Sequence, residues 1–487
     1  MATPLTRLEQ RHNEDWLIGF DCQKLAAIAH RTLQNLAQWP ASAPPTLFLS
    51  ESDPWHFLAY FIAACSSPCT VVLGNPTWTE TEWHQAIELT KPDLILSQTV
   101  GKQQAADNRQ SAAPLHLLSP AHPLPLILIP TGGSSGTLRF AMHTWDTLTA
   151  SVSGFQQHFQ VERVNSLCVL PLYHVSGLMQ FMRSFLSGGK LAIVPFKSLQ
   201  AGDYPALPTE HFFLSLVPTQ LQRLLQAGAD QEQAAAEGWG HGRIFSAPSP
   251  LSPSPHLTIL LGGAPAWAEL LESARNHNLP IAPTYGMTET AAQIATLKPA
   301  EFLQGRSGCG RVLPHAQVTI RAASGQELPP NQVGRVAIAA KSLMLGYFPQ
   351  VSTKAELLTA DLGFLDEAGY LHILGRADGA IISGGENVFP AEVEAAIWQT
   401  GLVIDVCVVG LTDPEWGQIV TAVYVPAQTA TVEEIKAAIA PTLCRYKQPK
   451  HWVAVAALPR NAQGKINRQQ VLALLTAPFP NSPTTST

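Results

Sequence analysis

Short apolar runs that each stop at a glycine, proline or hydroxyl-rich turn restrict the fold of this chain more than any other feature. "TLFLS" (46–50), "CTVVLGNP" (69–76), "KPDLILS" (91–97) and "PLPLILIP" (123–130) are β-rich. The helical patterns "DPWHFLAYFIAAC" and "TETEWHQAIELT" lie between the first three. Strand and helix in alternation imply a largely parallel sheet covered by helices. "LCVLPLYH", "HFFLSLVP" and "LTILLGGAP" continue the pattern further along. Ligands of open α/β sheets settle where such strands end. A chain of 487 residues is too long for one core, so two or three domains are expected.

Residues 227–256, rich in Ala, Gly, Ser and Pro, read as a surface excursion. From about residue 310 the texture becomes β-rich: "AQVTIRA", "GRVAIAAKSL" and "GYLHILGR" alternate with turns. After 378 a compact α+β unit follows, with the hairpin "GAIISGGENVF", the helix "PAEVEAAIWQ", two strands and a further helix. The expected fold class is α/β. A large N-terminal domain (1–377) of stacked α/β sheets plus a β-rich subdomain precedes a small mobile α+β C-terminal domain (378–476). The Pro-, Ser- and Thr-rich tail, 477–487, reads as disordered.

Composition excludes several classes. Only 14% of residues are charged, against roughly a quarter in an average globular protein. The net charge of -6 leaves no basic footprint for nucleic acid. Leu58 to Leu73, the longest apolar stretch, is broken by Ser66, Ser67 and Pro68, so a core helix and a strand are expected and no membrane span. The polar N-terminus leads to the expectation of a cytoplasmic chain. Seven scattered cysteines and 16 histidines show no metal-ligand spacing and read as reduced core thiols and dispersed imidazoles.

Four stretches carry candidate chemistry. "IPTGGSSGTLRF" (129–140) packs three glycines and four hydroxyl residues between apolar runs, a composition suited to wrapping backbone N–H groups around an anion. It lacks the lysine of the G-x-x-x-x-G-K-[ST] loop. "RFAMHT" after it is strand-like, and Thr144 is placed to cap the helix "WDTLTASVSGFQQHF". In "PTYGMTETAA" (283–292), Glu289 offers oxygen to a hard cation such as magnesium. Thr288 offers a donor to phosphate, and Tyr285 a flat face. Asp361, with Arg376, suits vicinal ribose hydroxyls. Lys465, in "LPRNAQGKINR", is a cation that a mobile segment brings to developing negative charge. Each stretch alone is equally readable as an ordinary turn, cap or solvated loop.

Together, in this order, they resemble the adenylate-forming superfamily of acyl-CoA synthetases, adenylation domains and luciferases. The resemblance covers about residues 45–470, and its most specific stretch is "ADLGFLDEAGYLHILGRADGAIISGGENVFPAEVE". It implies the substrates ATP, a small-molecule carboxylic acid and coenzyme A, with Mg²⁺. Thr131, Gly132, Gly133, Ser134, Ser135, Gly136 and Thr137 would cradle the β- and γ-phosphates. Gly263, Ala264 and Tyr285, with Gly286 and Met287, would frame the adenine. Asp361 and Arg376 would hold the ribose, Thr288 the α-phosphate and Glu289 the metal. Lys465 would bridge carboxylate and phosphate. Asp378 matches the family's hinge, whose rotation withdraws Lys465 and brings in Gly384 and Gly385 for close approach of the CoA arm. The loop departs from the family at Arg139, where Lys is usual; Arg139 is open to a structural role with a carboxylate partner or to a direct contact with the nucleotide's phosphates, and the structural role is the one expected.

His174, Ser176 and Gly262 are expected to line the acyl pocket, and His174, Thr288 and Lys465 to form the catalytic set. The sequence "LPLYHVSGL" (170–178) is similar to o-succinylbenzoate–CoA ligases of menaquinone and phylloquinone synthesis. Another aryl or medium-chain acid, or a carrier-protein arm as thiol acceptor, stays open at this point. So does a monomer or a homodimer.

Overall fold

The computed structural model describes residues 3–40, 44–97, 125–131, 138–236, 257–379, 381–383, 386–413, 416–427, 430–443, 445–460 and 465–476. The α/β expectation holds, and four sheets organise the chain. In the first, Leu94–Leu96, Thr46–Leu49, Thr70–Leu73 and Leu126–Thr131 run parallel. Three of these strands are buried at every residue, as expected of strands covered on both faces. The helices between them start where their caps dictate. Asp53 accepts from the N–H groups of Trp55 and His56 ahead of Pro54–Cys65, and Thr79 forms a reciprocal capping box with Glu82 ahead of Glu80–Thr90.

The strand Arg139–Thr144 returns antiparallel to Leu126–Thr131, with Thr131 opposite Arg139. The glycine stretch therefore joins two strands, as the sequence indicated, and does not open directly into a helix. Thr144 then caps Trp145–Phe159 through a capping box with Thr147. The two-residue strand Gly346–Tyr347 adds to the outside of Arg139–Thr144, with Tyr347 opposite Ala141.

The second sheet sets Leu191–Ile193, Asn165–Cys168, Phe212–Leu216, Leu257–Leu261 and Ile281–Met287 side by side in parallel. Ala292–Thr296 and Arg311–Val312 extend it antiparallel. A third, wholly antiparallel sheet holds Ala316–Arg321, Gly334–Ala340, Leu357–Leu365 and Leu371–Arg376. The fourth pairs the hairpin Ile381–Ser383/Glu386–Val388 with Gly417–Pro426, Val403–Asp413 and His451–Ala454. It has its own core, in which the helix Pro390–Gln399 contributes Val393, Ala396 and Ile397.

Two features differ from the sequence reading. The stretch read as a surface excursion begins as helix: Pro218–Ala236 runs unbroken, because Gln, Ala and Leu outweigh one internal Gly. Two N-terminal helices, Pro4–Arg11 and Cys22–Leu36, pack on the first core through Leu5, Leu8, Leu25 and Ala29. Among the described residues six cysteines are free, and Cys309 alone of these is partly exposed. No helix among the described residues is long and apolar enough to cross a membrane.

Candidate functional site

The sequence-indicated residues converge at the carboxyl ends of the second sheet's parallel strands and on the loop ends around them. Asn165–Cys168 leads to His174, which opens the helix Val175–Ser187. Leu257–Leu261 leads to Gly262, Gly263 and Ala264. Gly263 has φ +80°, a conformation that favours glycine, and both it and Ala264 are exposed. Ile281–Met287 ends in Tyr285, Gly286 and Met287, followed by the 3₁₀ turn Thr288–Thr290. A Cβ at Gly286 would sit 2.1 Å from the Ala292 carbonyl oxygen, so glycine is needed there for the turn to close against its partner strand.

The third sheet delivers Asp361 and Arg376 as opposite residues on paired strands, their Oδ1 and Nη1 3.8 Å apart. The Tyr285 hydroxyl donates to Asp361 Oδ2 at 2.5 Å. Burial, and then the Asp361 charge, push the Tyr285 phenol far above its ordinary value, so it remains a donor. The ring expected to lie against a flat ligand and the carboxylate expected to meet ribose are thus already joined.

Thr288 is held from behind. His143 is fully buried, with Nε2 2.8 Å from the Thr288 carbonyl oxygen and Nδ1 3.1 Å from Thr147 Oγ1. Burial lowers its pKa to about 4, so the ring is neutral near pH 7, with Nε2–H donating to the carbonyl. Glu289 receives the Tyr347 hydroxyl on Oε1 at 2.5 Å. No group of three or more His, Cys, Asp or Glu that could hold a metal exists among the described residues. A lone carboxylate suits Mg²⁺ entering with phosphates, because that ion keeps to one or two protein carboxylates and fills its shell from the nucleotide and water.

Lys465 is an exposed residue taken as a whole. Surrounding protein lowers its ammonium pKa, and the Glu289 charge opposes that shift. His174 is buried; desolvation, helped by the Lys465 charge, brings it down to about 3. Lys465 therefore acts electrostatically on residues from two distant parts of the chain. The small sheet's side of the molecule also touches the large side at Trp398, which stacks on Trp267 with centroids 5.0 Å apart and planes 8° apart.

Ser176 is exposed at the start of the His174 helix. Gly262 packs closely: a Cβ there would meet Thr284 Oγ1 at 2.7 Å. Thr131 is buried, and its hydroxyl donates to the Arg139 carbonyl oxygen at 3.3 Å. Gly132, Gly133, Ser134, Ser135, Gly136, Thr137, Gly384 and Gly385 lie outside the described residues, as does the tail 477–487. Asp378 lies in the 3₁₀ turn Ala377–Gly379. The carboxylate partner expected for Arg139 is not there: among the described residues no ion pair involves it, and its guanidinium lies 4.5 Å from the centroid of the Tyr347 ring. The preceding residues explain this, since Tyr347 joins the same strand that Arg139 begins.

Sequence reasoning missed Tyr347, His143, Arg183 and Trp398. Arg183 is fully buried two turns along the His174 helix. Its Nη2 donates to Gln293 Oε1 at 2.6 Å, and among the described residues no hydrogen-bond partner meets its Nε. Burial lowers its guanidinium to about 9. Gln293 stands opposite Gly286 on the paired strand. A charged residue inside the largely apolar run "LMQFMRSFL" was the available signal.

Comparison with known proteins identifies the family. The AMP-binding enzyme family matches residues 49–348, and the AMP-binding enzyme C-terminal domain matches residues 392–465. The chain belongs to the AMP-binding enzyme family. It is 30% identical over 351 residues to the 2-succinylbenzoate–CoA ligase of Oceanobacillus iheyensis, covering 70% of this chain and 68% of that one. The Bacillus anthracis 2-succinylbenzoate–CoA ligase is 32% identical over 358 residues, covering 72% and 70%. The fold is shared with o-succinylbenzoate CoA synthetase from Bacillus subtilis in complex with its acyl-adenylate, at TM-score 0.78 and 24% identity over 97% of this chain and 98% of that one.

Proposed function

We propose that this AMP-binding enzyme is an ATP-dependent acid–CoA ligase that converts 2-succinylbenzoate to its CoA thioester in menaquinone or phylloquinone synthesis, acting in the cytoplasm. The observation that carries the reading is that the Lys465 charge bears on both His174 and Glu289, the residues assigned here to the acyl pocket and to the metal. Kinship with curated 2-succinylbenzoate–CoA ligases supplies the choice of acid.

A carboxylate is a poor acyl donor because its oxygen leaves badly. Attack by the carboxylate on the α-phosphate releases pyrophosphate and leaves an acyl-adenylate, from which AMP departs easily when a thiolate attacks. Glu289 would hold Mg²⁺, which would supply charge neutralisation at the phosphates. Thr288 is set by His143 to donate toward the α-phosphate. Asp361 accepts from the ribose hydroxyls while Arg376 flanks it. Lys465 stabilises the charge shared by the entering carboxylate and the phosphate. Thr131 and the loop 132–137 take the outer phosphates. Rotation of the small domain about Asp378 then carries Lys465 away and brings Gly384 and Gly385 to the thiol.

The acid has two carboxylates, and the second needs a counter-charge. A fully buried guanidinium without a carboxylate partner is costly, and among the described residues Arg183 is such a group, bonded to Gln293, which stands opposite Gly286. Its charge would meet the carboxylate that does not react. Pyrophosphate release over a panel of acids tests the reading. Turnover must be highest for 2-succinylbenzoate, and Arg183→Gln must raise KM for that diacid while sparing a monocarboxylate analogue. Higher turnover with an amino acid, a fatty acid or a carrier-protein acceptor in place of CoA would overturn it.

A further inference from the structure

Tyr347 belongs to none of the sequence motifs, yet it touches two of them at once. Its hydroxyl donates to Glu289 Oε1 at 2.5 Å, and its ring carries the Arg139 guanidinium at 4.5 Å. The segment containing it fastens the Thr288–Thr290 turn at two further points. Ser342 Oγ donates to the Thr290 carbonyl oxygen at 2.9 Å, and the Met344 N–H donates to the Glu289 carbonyl oxygen at 2.8 Å. Beyond that turn, the Leu345 N–H donates to the Met142 carbonyl oxygen at 2.8 Å, and Tyr347 pairs with Ala141. One short segment thus splints the glutamate's turn to the strand that leaves the glycine stretch.

We infer that Tyr347 is a positioning residue for nucleotide binding, fixing Glu289 toward the cation through its hydroxyl and seating Arg139 at the loop end through its ring. The inference rests on the reading that Glu289 serves the cation accompanying ATP. A carboxylate whose Oε1 is fixed presents Oε2 in one direction, and a planar guanidinium stacked on a ring keeps its N–H edge pointing outward. Lysine at 139 would hold a point charge on a flexible stem and stack less well. The substitution at the loop end and the tyrosine on the neighbouring strand therefore form a matched pair.

The hydroxyl and the ring are separable by experiment. Binding is measured by titration calorimetry on the intact protein, without acid or CoA, using Mg·ATP and, in chelator, metal-free ATP. Tyr347→Phe keeps the ring. It is expected to weaken Mg·ATP binding about tenfold, with metal-free ATP binding and melting temperature unchanged. Tyr347→Leu loses both contacts and is expected to weaken both forms of ATP, while Arg139→Lys weakens metal-free ATP in the Tyr347 protein but not in the Leu variant. Wild-type Mg·ATP affinity for Tyr347→Phe, equal loss with and without metal, or additive effects of the Arg139 and Leu changes would overturn the inference. Glu289→Gln separates the two layers. If it retains the full preference for Mg·ATP over metal-free ATP, the role of Glu289 itself falls; if it loses that preference while Tyr347→Phe does not, only the inference falls.

Discussion

Removal of the Trp398 ring should slow the first half-reaction and spare the second. Trp398 lies on the helix Pro390–Gln399 and stacks on Trp267, which follows the Gly262–Ala264 turn, at 5.0 Å and 8°. The Lys465 charge bears on His174 and Glu289 in this same arrangement, so on the proposed mechanism the stack belongs to the placement of the small domain that suits adenylate formation. An aromatic pair contributes about 0.5–1.5 kcal/mol beyond its buried area. Losing that in one of two alternating placements shifts their ratio by about two- to twelvefold. Trp398→Ala should therefore lower the rate of pyrophosphate release in single turnover by about that factor. Thioester formation from pre-made acyl-adenylate should stay the same or rise, because the competing placement is weakened. Trp267→Ala should match it, and the double variant should be no slower than either single one. Equal loss in both half-reactions, or additive losses in the double variant, would refute the assignment of the stack to one placement.

Three further outcomes follow from the same geometry. Lys465→Ala should cost adenylate formation about 3–4 kcal/mol of transition-state stabilisation and leave thioester formation from the acyl-adenylate near normal; equal damage to both, read by pre-steady-state quench, contradicts its role. Asp378→Pro restricts both that residue and Ala377, so adenylate formation should survive while thioester formation collapses; normal overall turnover places the hinge elsewhere. His143 titrates at about 4 in the folded protein, below the ordinary histidine value of about 6.5. The unfolded chain thus binds more protons between those values. The contribution is full above pH 6.5 and falls as pH drops toward 4, by about 3 kcal/mol in all. Urea unfolding at pH 7 and pH 5 should show a smaller pH effect for His143→Gln; an unchanged pH effect argues against a buried neutral imidazole.

The sequence made some levels of this structure legible and hid others for physical reasons. The strand and helix alternation of the first third is local, and local caps such as Asp53, Thr79 and Thr144 set the helix starts where the sequence indicated. Asp361 and Arg376 were readable as a pair because a tight hairpin makes them opposite. Tyr347 was not, since it reaches Glu289 only after a two-residue strand joins a sheet formed some 200 residues earlier in the chain. The same holds for Trp267 and Trp398, whose contact depends on how two folded units meet. Arg139 was weighed between a carboxylate and the bound nucleotide; the aromatic face that receives it carries no charge and leaves no sign in a charge pattern.

The positive charges of the site are fixed in different ways, and that difference bears on His174. Arg139 rests on a ring, Arg376 stands near Asp361 and Arg183 is buried beside Gln293; all three ride on elements that precede Asp378. Lys465 alone of these four comes from beyond it. If the small domain turns as proposed, the site keeps three charges and loses the fourth, so electrostatic support for the phosphate is withdrawn once adenylate formation is over. His174 would feel this withdrawal directly, because the Lys465 charge is one cause of its lowered pKa. The larger cause is burial, and both the helix that His174 opens and the neighbouring Tyr173 ring, at 4.6 Å, precede Asp378 in the chain. On the proposed mechanism the imidazole therefore stays neutral near pH 7 after Lys465 leaves, and the role proposed for His174 is that of a packing wall of the acyl pocket, not of a second cation that takes over from the lysine.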